Sequence, residues 1–287
     1  MDVRALLREY DIRPSKGLGQ HFMVDRRALE RIVEAAELEP EDTVLEIGPG
    51  LGTLTQALAE RAGRVVAVEL DERMVEILSR TLGDRPSVEI VRGDILELDP
   101  AELVGGVRYK VVANLPYYIT SAVLRHLLEA RVKPQLVVVT VQKEVAERLV
   151  ARPGQMSLLS VSVQFYGRPR LVARIPAGAF YPAPKVTSAV VRIDLHERPP
   201  VEVEDVDRFF GIVRAGFAQR RKQLRNALAQ GLGMRPEAVA EALNRCGIDP
   251  TRRAQTLSVE EWGRIYRELT STATRQGPSR RSRRWSG

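Results

Sequence analysis

Short β-rich runs alternate with helical patterns through the first two-thirds of the chain, and this alternation limits the fold more than any other feature. Thr43–Ile47 and Arg64–Glu69 are two such runs, each followed by apolar residues at helical spacing. Such alternation predicts an α/β fold with a parallel sheet covered on both faces. Seven strands are predicted, and the last, Ser188–Leu195, follows a loop rather than a helix, which favours an antiparallel final strand.

The pattern changes near residue 197, after which every predicted element is a helix. We therefore divide the 287 residues into an α/β domain at 1–196, a helical domain at 197–274 and a basic tail at 275–287. The first 196 residues hold 26 basic and 26 acidic side chains, so the net charge of +7 lies in the last third. The tail has five arginines and no acidic residue, and we expect it to be disordered when free.

Composition excludes several classes of protein. Hydrophobic residues make up 44% of the chain, enough for a sizeable core, but no uncharged apolar run reaches the ~18 residues of a membrane span. The N-terminus lacks the apolar core of a signal peptide, so a cytosolic protein is expected. One cysteine and three scattered histidines provide neither an internal disulfide nor a zinc site of familiar spacing. We expect a monomer that needs no metal.

A glycine loop and two acidic residues follow the first three predicted strands. Gly48-x-Gly50-x-Gly52 lies between a strand and a helix, where the backbone can approach a ligand closely. Glu69 ends the second strand, in the place where a carboxylate accepts ribose hydroxyls, and Asp94 follows the third strand, where it can accept from an adenine amine. Each feature alone fits a tight turn or a surface carboxylate. Together they favour a site for a nucleoside cofactor.

The tetrapeptide Asn114-Leu-Pro-Tyr117 ends the fourth predicted strand and is the most specific signal in the chain. An exocyclic adenine amine is a poor nucleophile, because its lone pair is delocalised into the ring. The Asn114 side-chain oxygen and the carbonyl of Leu115 or Pro116 can accept its two protons and align the lone pair. Tyr117 offers a stacking face for an extruded base, and Phe180 could close the other face. The alternative is a turn with packed aromatic rings.

A basic cluster in the helical domain fits a polyanion such as RNA. It comprises four side chains within a short run: Arg220, Arg221, Lys222 and Arg225. Each phosphate that such a side chain neutralises releases counterions, which favours binding of nucleic acid. A solvated helix face would have the same composition.

Eight motifs, in order along the chain, resemble those of the ribosomal RNA adenine dimethyltransferase family, and most closely its bacterial small-subunit (kasugamycin-resistance) group. They are Leu18-Gly-Gln-His-Phe22, Glu46-Ile-Gly-Pro-Gly-Leu-Gly52, Val68-Glu69, Gly93-Asp-Ile95, Asn114-Leu-Pro-Tyr117, Phe180-x-Pro-x-Pro-Lys-Val-x-Ser188, Gly216-Phe-x-Gln-Arg-Arg-Lys-x-Leu-Arg-Asn226 and Arg253-Ala-x-Thr-Leu257. The resemblance implies a class I, Rossmann-like methyltransferase that uses S-adenosylmethionine. It also implies two methylations of each of two adjacent adenines near the 3′ end of 16S ribosomal RNA, in a partly assembled small subunit.

Carried over residue by residue, the resemblance implies a cofactor site lined by His21, Met23, Gly48, Glu69, Asp94 and Asn114. Asn114 would touch both the cofactor and the target amine. The family usually has Asn and Leu where this chain has His21 and Met23. Histidine can still donate one hydrogen bond and methionine can still pack, so we expect binding with altered affinity.

Other functions remain open at this point. A sister group methylates a large-subunit adenine and confers macrolide resistance, and some of its members carry arginine-rich tails. A binding factor on a methyltransferase scaffold would need no catalysis, although the intact Glu69, Asp94 and Asn114 argue against it. A small-molecule methyltransferase would not need a basic helical domain.

Overall fold

The computed structural model describes residues 3–14 and 19–275. Leu18 of the first motif and the predicted tail beyond residue 275 therefore lie outside the described residues. The chain forms two compact units: unit 1 is Met1–Val150 with Tyr166–Arg198, and unit 2 is Ala151–Phe165 with Pro199–Gly287. The division between Arg198 and Pro199 lies close to the predicted boundary at residue 197. The segment 151–165, which we placed in the α/β domain, belongs to unit 2 instead.

Unit 1 alternates strands and helices. Its helices are α1 (Val3–Glu9), α2 (Arg26–Ala35), α3 (Thr53–Ala59), α4 (Glu72–Leu82), α5 (Pro100–Leu103), α6 (Thr120–Glu129) and α7 (Lys143–Leu149). Its strands are β1 (Phe22–Met23), β2 (Thr43–Ile47), β3 (Arg64–Glu69), β4 (Val88–Arg92), β5 (Lys110–Asn114), β6 (Leu136–Gln142), β7 (Gly167–Ile175), β8 (Phe180–Tyr181) and β9 (Ser188–Leu195).

Seven strands form one mostly parallel sheet in the order β4-β3-β2-β5-β6-β9-β7. The first five pair in parallel, whereas β9 pairs antiparallel with both β6 and β7. The predicted antiparallel final strand is therefore confirmed, and it lies inside the sheet rather than at its edge. Successive residues of β5 and β6 are buried although they point to opposite faces, so both faces of the sheet are covered.

The parallel pairing brings four loops to one edge of the sheet. The carboxyl ends of β2, β3, β4 and β5 meet there, because parallel strands all point the same way. The residues that follow these strands are Gly48, Leu70, Gly93 and Leu115. The sequence motifs predicted to bind a nucleoside and an adenine amine therefore lie side by side.

A second, two-stranded sheet joins the N-terminal segment to a late loop. Strand β1 pairs antiparallel with β8, which sets Phe22 opposite Tyr181 and Met23 opposite Phe180. Neither strand was predicted. This pairing places residues 19–23 along one wall of the crevice at the sheet edge.

Unit 2 is helical. Its helices are α8 (Leu158–Tyr166), α9 (Val206–Phe217), α10 (Leu224–Leu232), α11 (Pro236–Arg245) and α12 (Val259–Arg275). Phe165 stacks on Phe209 with 5.0 Å between ring centroids, a contact within unit 2 between residues distant in sequence. A capping box begins α12: Ser258 N–H donates to Glu261 Oε2 at 2.9 Å, and Glu261 N–H donates to Ser258 Oγ at 3.3 Å.

Within the described ranges, no helix combines the length and the apolar character that crossing a bilayer requires.

Candidate active site

A cleft of about 1210 Å³, its open mouth included, lies in unit 1 at the carboxyl ends of the parallel strands. The structure brings together all but one of the residues that we predicted for cofactor binding and catalysis. Those lining the cleft are His21, Met23, Gly48, Glu69, Asp94, Asn114, Pro116 and Tyr117.

Phe180 is the exception and requires a correction. Its side chain is 3% exposed and packs in a core cluster with Met23, so its ring has no free face for a base. The reason is the pairing of β8 with β1: successive side chains of a strand alternate, which turns Phe180 inward and leaves Tyr181 41% exposed.

The glycine loop adopts a backbone conformation that other residues rarely take. Gly48, Gly50 and Gly52 have φ angles of +68°, +58° and +82°. At Gly52 an added Cβ would also lie 2.8 Å from Leu78 Cδ2, so α4 leaves no room for a side chain. The loop can therefore lie close to a ligand without intervening side chains.

The loop and β3 together fix the Glu69 carboxylate. Its Oε2 accepts from Gly50 N–H at 3.0 Å, and its Oε1 accepts from Asp71 N–H at 2.9 Å. Burial raises the pKa of Glu69, and these main-chain donors oppose that shift. Each carboxylate oxygen keeps a further lone pair, so both can accept from vicinal hydroxyls such as those of ribose.

Asp94 and Leu70 provide the surroundings expected for an adenine ring. Asp94 Oδ1 accepts from Leu96 N–H at 2.9 Å, while Oδ2 has no hydrogen-bond partner in the described ranges. Leu70 lines the same cleft and is 50% exposed, although its side chain is apolar. A free acceptor and an apolar surface match the amine and the face of a purine.

Asn114 presents its oxygen rather than its amide nitrogen. Its Nδ2 donates to the His21 carbonyl at 3.1 Å, which leaves Oδ1 without a partner among the residues described. The predicted second acceptor for the target amine is the carbonyl of Leu115 or that of Pro116. The carbonyl of Pro116 already accepts from Ile119 N–H at 3.3 Å, whereas that of Leu115 accepts no hydrogen bond within the described chain. The geometry therefore favours Asn114 Oδ1 and the Leu115 carbonyl.

Tyr117 is held rigidly at the edge of the cleft. Its hydroxyl is 2.7 Å from Ser188 Oγ, and its ring stacks on that of His21 with 5.7 Å between centroids. Burial raises the pKa of Tyr117, and the bond to Ser188 opposes this. The His21 Nδ1 lies 2.7 Å from the Pro182 carbonyl, an acceptor, so Nδ1 carries a proton. His21 thus supports both Asn114, through its main chain, and Tyr117.

Glu46 is a cleft residue that we did not predict. It is 1% exposed, and its Oε2 has no hydrogen-bond partner in the described part of the chain. Burial raises the pKa of Glu46 to about 8, and the charge of Glu69 acts in the same direction. A signal was present in the sequence, because a carboxylate within the apolar run Thr43–Ile47 is costly to bury unless it meets a polar partner or a ligand.

The predicted RNA-binding residues lie in unit 2: Arg220, Arg221 and Lys222 are in the turn between α9 and α10, and Arg225 is in the first turn of α10. Helix α10 begins at Leu224, whose N–H donates to the Arg252 carbonyl at 2.6 Å. Arg220, Arg221 and Arg225 are exposed and form no ion pair with any described residue. Lys222 Nζ donates to Gln230 Oε1 at 3.1 Å.

Comparison with known proteins identifies the relatives of this chain. A family model described as ribosomal RNA adenine dimethylase matches residues 13–271. A protein of Dehalococcoides mccartyi named ribosomal RNA small subunit methyltransferase A is 52% identical over 261 residues, or 91% of this chain and 90% of that protein. A protein of Moorella thermoacetica with the same name is 48% identical over 276 residues, 92% of this chain and 96% of its own.

Two solved structures share the fold over most of the chain. The crystal structure of the 23S rRNA methyltransferase ErmE matches with a TM-score of 0.71 and 30% identity, covering 87% of this chain and 99% of that one. The dimethyladenosine transferase of Plasmodium falciparum matches with a TM-score of 0.76 and 23% identity, covering 88% and 98%. The second similarity bears on the fold alone.

Proposed function

The chain belongs to the ribosomal RNA adenine dimethylase family, and we propose that it dimethylates two adjacent adenines near the 3′ end of 16S ribosomal RNA, with S-adenosylmethionine as the methyl donor. One observation carries the chemistry: Asn114 Oδ1 and the Leu115 carbonyl are free acceptors at the same strand end. Two acceptors are what an amine with two protons requires.

The small subunit is favoured over the large one by degree of similarity. The chain is 52% identical to a relative named for the small subunit and 30% identical to a 23S enzyme. The basic turn that follows Gln219 also resembles the small-subunit group. A non-catalytic binding factor would not need the free Asn114 oxygen.

The residues of the cleft fit S-adenosylmethionine. Glu69 would accept from the ribose hydroxyls, and Asp94 Oδ2 would accept from the adenine amine. The unpartnered Glu46 Oε2 is a buried acceptor suited to the positively charged methionine end. When bound, the cofactor supplies an electrophilic methyl group.

Asn114 and Leu115 act on the target amine. By accepting hydrogen bonds from its two N–H groups, they favour a tetrahedral nitrogen whose lone pair has a fixed direction. The Asn114 oxygen is oriented in advance, since the His21 carbonyl holds the amide nitrogen. Such preorganisation requires no rearrangement when charge develops on the nitrogen.

The two units have different tasks in this account. Unit 1 would bind the cofactor and transfer the methyl group, and the basic turn of unit 2 would bind RNA phosphates. Ribosomal RNA is the substrate, and we propose that a partly assembled small subunit presents it to a monomer of this chain.

A labelling experiment tests this function. Purified protein and labelled S-adenosylmethionine are offered unmethylated small subunits and, separately, protein-free large-subunit RNA. We expect label in the small-subunit RNA. Label in the large-subunit RNA alone would indicate a resistance methyltransferase.

Cofactor affinity is expected to rise with pH up to about 8. Glu46 is neutral below its raised pKa of about 8. The positive charge of S-adenosylmethionine favours the ionised carboxylate and so lowers this pKa in the complex. Binding therefore releases a proton below pH 8, and the Kd is expected to fall by up to about tenfold per pH unit until it levels off above that pH. Calorimetric titrations at pH values from 6 to 9, spaced about one pH unit apart, measure the Kd for S-adenosylmethionine.

Glu46→Gln provides the matched control for this pH dependence. Glutamine keeps the size of the side chain but cannot ionise, so the variant retains only the titration of the ligand itself. We expect a weaker affinity at high pH and a flatter profile. The same dependence of the Kd on pH in both proteins would show that ionisation of Glu46 does not control cofactor binding.

RNA binding is expected to depend on the basic turn. Arg221→Ala combined with Lys222→Ala removes two exposed positive charges. The slope of log affinity against log salt is expected to decrease in magnitude by about 1.5, since each phosphate contact contributes about 0.7 to 0.9. Filter binding to small-subunit RNA at several salt concentrations measures this slope.

Arg80→Ala combined with Arg125→Ala is the control for charge alone. Both arginines are exposed and each pairs with a glutamate one helical turn away. This variant is expected to keep the original slope. An unchanged slope in the Arg221 and Lys222 variant would place the RNA footprint elsewhere.

A further inference from the structure

Three aromatic rings lie near Asn114 in sequence or in the predicted site, and they differ in how much of each ring is exposed. Phe180 is 3% exposed and belongs to the core. Tyr117 is stacked on His21, and its hydroxyl is bound to Ser188. The third ring, Tyr118, lines the same cleft and is 60% exposed.

Gly19 supports the ring of Tyr118. A Cβ built on Gly19 would lie 3.5 Å from Tyr118 Cδ1 and 3.7 Å from Cε1, so the ring rests against the Gly19 backbone. Its hydroxyl forms no hydrogen bond within the ranges that the structure describes. The side chain therefore contacts the Gly19 backbone, while more than half of it is exposed.

Tyr118 lies close in sequence to the residues proposed to bind the target amine. It lies in the turn between β5 and α6, in the same short stretch as Asn114 and Leu115, which supply the two acceptors. A lone exposed apolar side chain needs no explanation elsewhere on a protein surface. At the mouth of a cleft that receives an extruded base, however, an open aromatic ring is a stacking surface for nucleic acid.

We propose that Tyr118 stacks on the nucleobase next to the target adenine and holds the RNA single strand at the cleft while the target amine is methylated. The proposal rests on the proposed function, because it takes single-stranded RNA as the substrate. Stacking is tolerant of sequence, so Tyr118 would act equally on either of two adjacent adenines. It is a positioning residue that contacts the RNA but not the reacting nitrogen.

Tyr118→Leu and Tyr118→Phe form a matched pair of test variants. Leucine removes the π-face and keeps an apolar side chain, whereas phenylalanine keeps the ring and removes a hydroxyl that has no partner. We expect the leucine variant to raise the KM for unmethylated small subunits by about tenfold, within the range known for loss of one stacked base. The phenylalanine variant is expected to match the wild type, and both should keep the wild-type Kd for S-adenosylmethionine.

A binding measurement separates this proposal from the proposed function. A hairpin RNA with two unpaired adenines carries the fluorescent analogue 2-aminopurine in place of one of them. Stacking on Tyr118 is expected to quench its fluorescence with wild-type and phenylalanine proteins but not with the leucine protein. This readout needs no methyl transfer, so it remains informative if no RNA is methylated.

Two results would overturn the role of Tyr118. One is equal quenching by the leucine and wild-type proteins. The other is a loss of S-adenosylmethionine binding that accompanies the rise in KM in the leucine variant, since this would indicate a distorted cleft rather than a lost stacking surface.

Discussion

Asn114→Ala is expected to lower the turnover number by about 100- to 1000-fold, the range seen when one preorganised polar group that stabilises developing charge is removed. The variant loses the free Oδ1 that accepts from the target amine. The Leu115 carbonyl remains, but one acceptor cannot orient an amine with two protons. Cofactor binding should persist, because Glu69 and Asp94 are held by other loops.

Single-turnover labelling of small subunits measures this loss, and calorimetry with S-adenosylmethionine tests that binding survives. Asn244→Ala, on the exposed face of α11, is the control for losing an asparagine side chain. Its turnover should equal that of the wild type. Full turnover in Asn114→Ala would remove this residue from the mechanism.

Glu69→Ala is expected to weaken cofactor binding by at least about 100-fold. The carboxylate would accept from two ribose hydroxyls, and each hydrogen bond to a charged group contributes about 1.5 to 3 kcal/mol. The change also leaves the amides of Gly50 and Asp71 without their acceptors at the mouth of the glycine loop. Glu69→Gln should be almost as weak, because its amide nitrogen would face one of these N–H donors.

Titration with S-adenosylmethionine measures the Kd of both Glu69 variants. Glu76→Gln, on the exposed face of α4, is the control for losing a carboxylate from unit 1. Circular dichroism shows whether the variants fold. A folded Glu69→Ala protein that binds with the wild-type Kd would mean that the ribose lies elsewhere.

Much of the sheet could be predicted from sequence, because its strands are buried and carry local signals. The bounds of β2, β3 and β9 match the apolar runs from which they were predicted. The parallel topology then requires the loops after β2, β3, β4 and β5 to meet. For this reason the positions of Gly48, Glu69 and Asp94 after successive strands predicted one shared cleft, and the family resemblance implied that Asn114 also lines it.

Long-range pairing could not be predicted in the same way. Strands β1 and β8 are two residues long, so neither contains a periodic pattern. Their pairing nevertheless decides which side chain of β8 turns inward, and it is why the stacking prediction for Phe180 does not hold in this structure. Likewise, contacts distant in sequence assign the segment 151–165 to unit 2: Phe165 stacks on Phe209, and the N–H groups of Gly154 and Met156 donate to the Gln255 carbonyl.

The chemical environment of the cleft also depends on burial. Glu46 looked like part of a motif, and only the folded chain shows that one of its oxygens is buried without a partner. The choice between the carbonyls of Leu115 and Pro116 depended on which one a turn had already used. Sequence patterns indicate which groups can meet, whereas the fold determines which of them remain free.

Mapping the methyl groups on the RNA tests the proposed function most directly. Purified protein, S-adenosylmethionine and unmethylated small subunits are incubated together, and the extracted RNA is digested and analysed by mass spectrometry. We expect dimethylation of the exocyclic amine at two neighbouring adenines near the 3′ end. Methylation of a different site, or RNA that is bound but never methylated, would contradict it.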